Sequence, residues 1–502
     1  MSAVSLAPIL AIFSSLAGLV GVGAFHASVR MRNTAVLVAA VCQTLVLLYM
    51  VPAVLDGQVL TLEISTLLPG AGLAFRVDGL GLTFALIASI LWLVTAIYSF
   101  GYLDILKSGN QSRFQALFAL TITFTVGVAF AANLVSLYLF YEAMTVATYF
   151  LVTHDDTDEA HAGGRRYLAY HLGTSIAFLL PAIGLTWHLA GSLSFVQGGL
   201  FADLDTETHR GMLTLAFVLF LAGSAKVAIM PLHGWLPGAM VAPVPVSALL
   251  HAVAVVNAGA YGVLRILSDV FGAPVLTSLG LDQIGIWLAS FTVVAASLYA
   301  LRLDNLKALL AFSTIGQLAY IVLGASLANP DGAMGGMLHI LNHGLSKITL
   351  FLCAGAIYVA THKKYVSEMA GLAREMPLTV LAFAIGAFSM IGLPLTAGFI
   401  SKWYLFAGAQ DAGSMVALAA LILSSMLSAA YYLRALAIFM GWTGERSARL
   451  SRLPPVRLGT EVDGRMLWPL VVCAIMTLLV GVFPDLFALP LLVPVVEASF
   501  MR

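Results

Sequence analysis

Charge is what this chain lacks. Only 10% of its 502 residues are Asp, Glu, Lys or Arg, against 61% apolar residues and a mean hydropathy of +0.98. A soluble domain carries about 25% charged and 45–50% apolar residues, so this chain cannot coat a water-facing surface of its size. A large soluble enzyme, a disordered regulator and a nucleic-acid binder are excluded. The 24 basic residues are balanced by 24 acidic ones, leaving no positive field for DNA, RNA or an acidic substrate. Cysteine is scarce as well. Cys42, Cys353 and Cys473 stand far apart in apolar surroundings, without a C-x-x-C pair or Cys/His cluster to hold iron–sulfur or zinc. All three are expected to be buried packing residues. The N-terminus runs apolar from Leu6 with no basic region before it and no A-x-A site after it, so it reads as a first span rather than a cleaved signal.

What the chain has is long apolar runs. A helical span needs about 20 mostly apolar residues. Fourteen such stretches are expected, at about 5–25, 33–55, 79–103, 114–131, 133–153, 166–190, 211–231, 243–267, 283–301, 306–328, 335–360, 378–400, 412–440 and 467–489. Barrel strands would alternate apolar with polar, so only helices satisfy their own backbone in lipid here. The expected fold is therefore an all-α polytopic membrane protein, one integral domain over 1–502 with no soluble appendage. Sixteen of the basic residues fall in odd-to-even loops: Arg30, Arg32, Lys107, Arg113, Arg165, Arg166, Arg302, Lys307, Lys363, Lys364, Arg374, Arg446, Arg449, Arg452, Arg457 and Arg465. Arg76, Arg210, Arg265 and Arg502 fall on the other side. This bias places both termini outside, periplasmic or extracellular.

A few charges fall where they are expensive, since an ionisable group in a span costs about 2.5–3.5 kcal/mol and marks ion pathways or relays by default. Glu142 is the one carboxylate expected deep in a span, and Lys226 is an isolated base in another. Such a pair either meets or faces a wet cavity, as conductor or as a packing ion pair. The eleventh span carries His339, His343 and Lys347 at i, i+4 and i+8, on one helix face. Imidazole titrates near neutrality and desolvation disfavours charged lysine, which suits a chain of proton carriers. Two histidines at this spacing can also share zinc, but no carboxylate or thiolate nearby in sequence completes a ligand set, so neither a metal nor a cofactor is expected. Lys402 follows the break Gly392–Leu393–Pro394, and Lys226 precedes the break Met230–Pro231 to Leu236–Pro237. Paired Gly/Pro-interrupted helices point to an inverted-repeat transporter. Two five-helix repeats are expected, about 114–267 and 283–440, with helices 7 and 12 broken and flanking helices in 1–103 and 467–489.

His251 and Asn257 in the eighth span read equally as relay members or as interhelical hydrogen-bond partners. Arg434 is open between a loop acid and neighbouring carbonyls. His171 and His188 read as satisfied core histidines, and Lys307 as a snorkelling or a conducting lysine.

Lys226–Val227–Ala228–Ile229–Met230–Pro231–Leu232–His233–Gly234–Trp235–Leu236–Pro237, continuing to Pro243–Val244–Pro245–Val246–Ser247–Ala248–Leu249–Leu250–His251, resembles the signature of the proton-translocating antiporter-like subunits. These are the L, M and N type subunits of respiratory complex I, their membrane-hydrogenase relatives, and the A-type and D-type subunits of Mrp cation/proton antiporters. Lys307 to Gln317 and Thr396 to Lys402 are similar to two further family blocks, and the likeness spans roughly 75–440. The resemblance implies that Glu142 modulates Lys226, that His251, His339, His343 and Lys347 form a central relay, and that Lys402 is the terminal lysine. Several members carry lysine where this chain has Asn257. The wording around Gly398 to Leu405, and a chain ending soon after its last expected span, look most like the Mrp D-type. That implies a subunit of a multisubunit Na+/H+ antiporter in a bacterial inner membrane. Its partners would be the lipid bilayer, other membrane subunits, protons and Na+, and it would have no chemistry of its own. A pumping subunit of a complex I or hydrogenase type assembly is the alternative.

Overall fold

The computed structural model describes residues 2–68, 71–442, 459 and 461–500. Arg446, Arg449, Arg452, Arg457 and Arg502 of the basic-residue bias lie outside the described residues. The helices, in chain order, begin with α1 (Ala7–Ala24), α2 (Val29–Leu55), α3 (Gly79–Ile105), α4 (Gln111–Ala129) and α5 (Leu134–Val152). Next come α6 (Asp158–Thr174), a π turn (Ser175–Leu179), α7 (Leu180–Ala190), α8 (Arg210–Gly223), a 3-10 turn (Ala225–Val227) and α9 (Trp235–Gly238). Then follow α10 (Val244–Ala248), a π turn (Leu249–Val253), α11 (Val255–Arg265), a π turn (Ile266–Phe271), α12 (Ala273–Ser278), α13 (Leu281–Arg302), α14 (Leu306–Ser326) and α15 (Pro330–Thr361). The series ends with α16 (Leu372–Glu375), α17 (Pro377–Ile391), α18 (Ala397–Asp411), α19 (Met415–Phe439), α20 (Gly464–Val482), α21 (Pro484–Phe487) and α22 (Leu489–Phe500).

Twelve helical stretches among the described residues are long and apolar enough to cross a membrane, counting α6–α7 and α10–α11 with their π turns as one each. The chain is a multi-pass membrane protein. Two of the fourteen expected spans are missing from the long set. They fall on α8 and α17, shorter apolar helices that stop at the two Gly/Pro breaks.

Burial sorts the bundle. The α10–α11 stretch is wholly enclosed, and α14 and α15 are mostly so, whereas α1 and α2 keep about two thirds of their residues on the outside. Hence Cys42 on α2 is exposed, against expectation, while Cys353 and Cys473 are buried. The polar residues of the middle of the chain therefore lie on the helices with the least access to lipid.

The sequence reading allowed no strands. The structure has a small sheet, β1 (Ser2–Val4) parallel to β2 (Val59–Leu68), which is antiparallel to β3 (Ala71–Val77) with Leu60 opposite Val77. The side chains of Asn133 and Ser136, at the start of α5, donate to the carbonyl of Gly72 and fix the hairpin to the bundle. At that end Asp78 caps α3 through the Gly81 N–H and pairs with Arg265. Arg265 also pairs with Asp269 at 2.8 Å and donates to the Tyr261 hydroxyl. It was expected in a loop, but it is a buried residue held by polar contacts to three side chains. Burial works against the Asp78 carboxylate, but the guanidiniums of Arg265 and Arg76 outweigh it and hold the group below the usual carboxylate range.

Candidate functional site

The first break places Lys226. Helix α8 stops at Gly223, and Ala228 takes a left-handed conformation (φ 55°) ahead of Pro231. Such a break leaves carbonyl and N–H groups without helical partners. Side chains from elsewhere take them: the Trp235 indole N–H donates to the Ala225 carbonyl, and the Thr292 hydroxyl accepts from the Met230 N–H. Helix α11 lies directly on the turn. A Cβ on Gly259 would come within 2.5 Å of the Val227 nitrogen, so only glycine permits this approach. The Lys226 ammonium is almost wholly enclosed, 3.4 Å from a Glu142 carboxylate oxygen of α5 and 3.3 Å from the centre of the Tyr141 ring. The sequence-predicted acid and base are thus brought together. Glu142 is the more accessible of the two, with 15% of its side chain exposed.

The second break places Lys402. Helix α17 ends at Ile391, Gly392 turns left-handed (φ 95°), and α18 starts at Ala397. The start of α18 rests on the end of α17: a Cβ on Gly398 would strike the Ser389 carbonyl oxygen at 1.8 Å, and the Gly398 N–H donates to the Ser389 hydroxyl. The Lys402 ammonium donates to the carbonyls of Met390 (2.9 Å) and Ile391 (3.0 Å), which the helix end has freed, and to the Ser425 hydroxyl (3.2 Å). It also stands 4.8 Å from the Tyr320 ring centre. A cation is favoured at a helix C-terminus by the same carbonyl dipoles.

Between the breaks, α15 presents its polar stripe inward. The Asn257 amide donates to the Ala252 carbonyl (2.8 Å), which turns its oxygen toward His343 Nδ1 at 2.9 Å. The network therefore assigns the proton of neutral His343 to Nδ1, leaving Nε2 with a free lone pair and no partner among the described residues. His339 is set the other way. Gln317 donates to the Met390 carbonyl and offers its oxygen to His339 Nε2 at 3.0 Å, while Nδ1 faces Ser401 (2.9 Å) and the Asn342 amide (3.3 Å). Ser401 adjoins Lys402, so His339 links the stripe to the second break. Lys347 donates to the Leu310 carbonyl (3.2 Å) and the Tyr432 hydroxyl (3.4 Å).

His251 is not brought into these bonds. It is buried with both ring nitrogens unpartnered among the described residues, packed 4.8 Å from the ring of Phe351, which lies one helical turn beyond Lys347. Lys307 donates to the carbonyls of Met240 and Ala242 on the return leg of the first break. It lines a cavity of about 540 Å³ with Asp155, Glu159, Lys363 and Lys364. Arg434 donates to the carbonyls of Leu301 and Leu303, resolving its open role in favour of carbonyls. His188 is not a core residue. His171 is buried, but neither ring nitrogen has a hydrogen-bond partner among the described residues, so it is not a satisfied core histidine.

Sequence reasoning missed Gln317, Ser401, Asn342 and Tyr432. Asn342 was legible, since it lies within the His339–Lys347 stripe. Gln317 and Tyr432 reach the stripe across 22 and 85 residues of chain, which only the fold reveals. Among the described residues no group of His, Cys, Asp and Glu could hold a metal ion.

Comparisons with known proteins follow the same lines. The family model described as NADH:quinone oxidoreductase/Mrp antiporter, TM, matches residues 131–428, which contain Glu142, Lys226, His251, His339, His343, Lys347 and Lys402. NADH-quinone oxidoreductase subunit N of Desulforudis audaxviator is 34% identical over 429 residues, covering 83% of each chain. Among solved structures, a chain of the Mrp complex from Dietzia sp. DQ12-45-1b superposes with a TM-score of 0.84 at 23% identity, over 99% of this chain and 98% of that one. A chain of the membrane-bound sulfane sulfur reductase, an archaeal respiratory membrane complex, does so at 0.85 and 25% identity with the same coverage. The first of these two likenesses speaks for the fold alone.

Proposed function

The chain belongs to the NADH:quinone oxidoreductase/Mrp antiporter family, and from that membership we propose that it carries protons as one subunit of a multisubunit cation/proton antiporter of the Mrp type, in the position of the D-type subunit. Its relay runs from Glu142 and Lys226 through His251, Lys347, His343 and His339 to Lys402. The observation that carries this reading is the Glu142–Lys226 pair, held at a helix break and enclosed on the amine side. Na+ is the proposed counter-ion, other membrane subunits are the partners, and both termini face outward.

The step is proton transfer between sites that alternate between charged and neutral, with no covalent intermediate. Two unit charges about 4 Å apart interact by about 4 kcal/mol at an effective dielectric of 20. Opening the pair, or neutralising Glu142, changes the field at the Lys226 ammonium on that scale. The next acceptors are prepared for the proton. His343 keeps Nε2 unprotonated through Asn257, and His339 keeps Nδ1 unprotonated toward Ser401 and Lys402. Asn257 cannot itself bind and release a proton. In this reading it serves the relay by fixing the His343 tautomer.

A second reading, a proton-pumping subunit of a redox-linked complex, is favoured by the even coverage of the subunit N relative. Both readings make one prediction. In vesicles holding the assembled complex, Glu142→Ala or Lys226→Ala abolishes ion-coupled transport while the complex still assembles. Normal exchange from either variant ends the relay reading. Na+-dependent exchange without quinone or NADH separates the antiporter from the redox pump.

A further inference from the structure

Among the described residues, His171 is the one fully buried imidazole within a membrane span that the relay leaves unused. Thirteen residues into α6, it lies about 20 Å along the helix from Asp158. It is 1% exposed, and neither ring nitrogen has a hydrogen-bond partner among the described residues. Buried polar atoms are nearly always paired, so each exception needs a physical reason. Its ring is held edge-on by Tyr167 (4.3 Å between ring centres) and Trp235 (4.2 Å).

What surrounds that box gives the reason. Helices α5 and α6 run antiparallel across a short loop, and two crossings fix their register. Thr148 and Tyr167 share a hydrogen bond of 2.9 Å, and about two turns further on the side chain of Tyr138 meets that of Ser175, the first residue of the π turn after α6. His171 lies between them, level with about residues 142–144 of α5, which is the level of Glu142. From the other side, Trp235 packs on the imidazole and donates to the carbonyl of Ala225, the residue before Lys226. The ring is therefore level with Glu142 on one side and one side chain removed from the turn that carries Lys226 on the other. The ionisable groups facing this region are Glu142, Tyr141 and Tyr138 from α5, Lys226 from its 3-10 turn, and Tyr167 from α6 itself. The other elements packed on α6, at Trp235–Gly238 and Ala239–Val241, bring no ionisable side chain.

We propose that His171 is a third member of the Glu142–Lys226 site, a proton acceptor that loads when the ion pair opens. An N–H bond of the Lys226 ammonium breaks and one forms on a ring nitrogen of His171, giving a neutral amine and an imidazolium. Glu142 remains a carboxylate and the net charge of the three groups is unchanged. The positive charge moves from α8's end to α6 while its counter-ion stays on α5.

This inference rests on the relay reading, and the test separates the two. His171→Phe fills the box without a proton site, and His171→Gln retains polarity without basicity. In vesicles with the intact complex, both are expected to lower proton transport at least tenfold at neutral pH and to remove one ionisation from the pH–rate profile, with complex abundance unchanged. A wild-type rate and profile in either variant overturns the proposal. So does a slower rate with an unchanged profile shape, or loss of assembly in both variants, because each makes His171 a packing residue. Lys226→Ala measured beside them must abolish transport for the relay itself to stand. If it does and the His171 variants behave as wild type, only the present inference falls.

Discussion

The two helix breaks look alike in the backbone and differ in what they offer a lysine. Each interrupts an apolar helix, each uses a left-handed residue, and each needs a glycine where one helix lies against another. At the first, Lys226 faces a carboxylate and the ring of Tyr141. At the second, Lys402 faces two helix-end carbonyls, a serine hydroxyl and the ring of Tyr320, with no ion pair among the described residues. A carboxylate can be neutralised, or can swing away on its own side-chain torsions. Carbonyls at a helix end are fixed dipoles, whose field changes only if the backbone moves. Within the proposed relay, then, the first break is the site that switches, and the second holds and releases a proton against a constant field.

The sharpest way to break this contrast is to give Lys402 a carboxylate. Ser425→Asp places an acid where a hydroxyl now lies 3.2 Å from the ammonium. A pair like that at the first break, worth about 4 kcal/mol at an effective dielectric of 20, would hold the proton on Lys402. Vesicle transport is expected to fall at least tenfold with assembly preserved. Unchanged transport would mean that the two breaks are electrically interchangeable.

A smaller effect is expected midway between them. Asn257→Leu keeps the volume but removes both the contact to the Ala252 carbonyl and the acceptor that fixes His343. Leaving such groups unpaired costs about 1–3 kcal/mol, and the His343 proton is then free to occupy either ring nitrogen. Transport should drop about threefold to tenfold without being abolished. A drop as deep as that of Lys226→Ala would make Asn257 part of the switch instead of a fixed support.

How much of this was legible in the sequence follows from the range of each interaction. The polar stripe was readable because His339, His343 and Lys347 repeat with the helical period. The two breaks were readable because proline and glycine act locally on the backbone, and these local signals are enough to locate both lysines. The pairing of Glu142 with Lys226 was only an expectation, since 84 residues of chain separate them. The hairpin was missed because runs of about 20 apolar residues mark helical spans, and its strands of ten and seven residues fall below that length. Arg265 was counted with the loop residues although it stands two residues inside the end of the span expected over 243–267, and its partner Asp78 lies 187 residues earlier, so only the fold reveals what holds it. His171 was assigned to a satisfied core on residue type alone, which says nothing about whether its nitrogens find partners.

An ion-paired arginine at the bundle's edge bounds the comparison from the side of water. Arg465 joins Asp104, near the end of α3, to Asp463, the cap of α20, at 2.6 and 3.0 Å. Hydrogen bonds from Arg465 hold the Asp463 carboxyl below its ordinary value. A carboxylate with a lowered folded-state pKa contributes stability above its unfolded value, about 3.9, and loses it as the pH falls through the lower folded value. Both partners are partly exposed, so the contribution is a few tenths of a kcal/mol. Arg465→Gln should therefore lower the unfolding midpoint of the purified complex by about 1 °C or less at pH 7, and that difference should fade toward about pH 2 and in high salt. Transport at pH 7 should not change. An Arg465→Gln defect that persists in acid and in salt would assign the contact to side-chain packing. A transport defect would mean that charge at the bundle's edge reaches the relay, and the distinction between a buried pair that switches and a surface pair that only clasps would not hold.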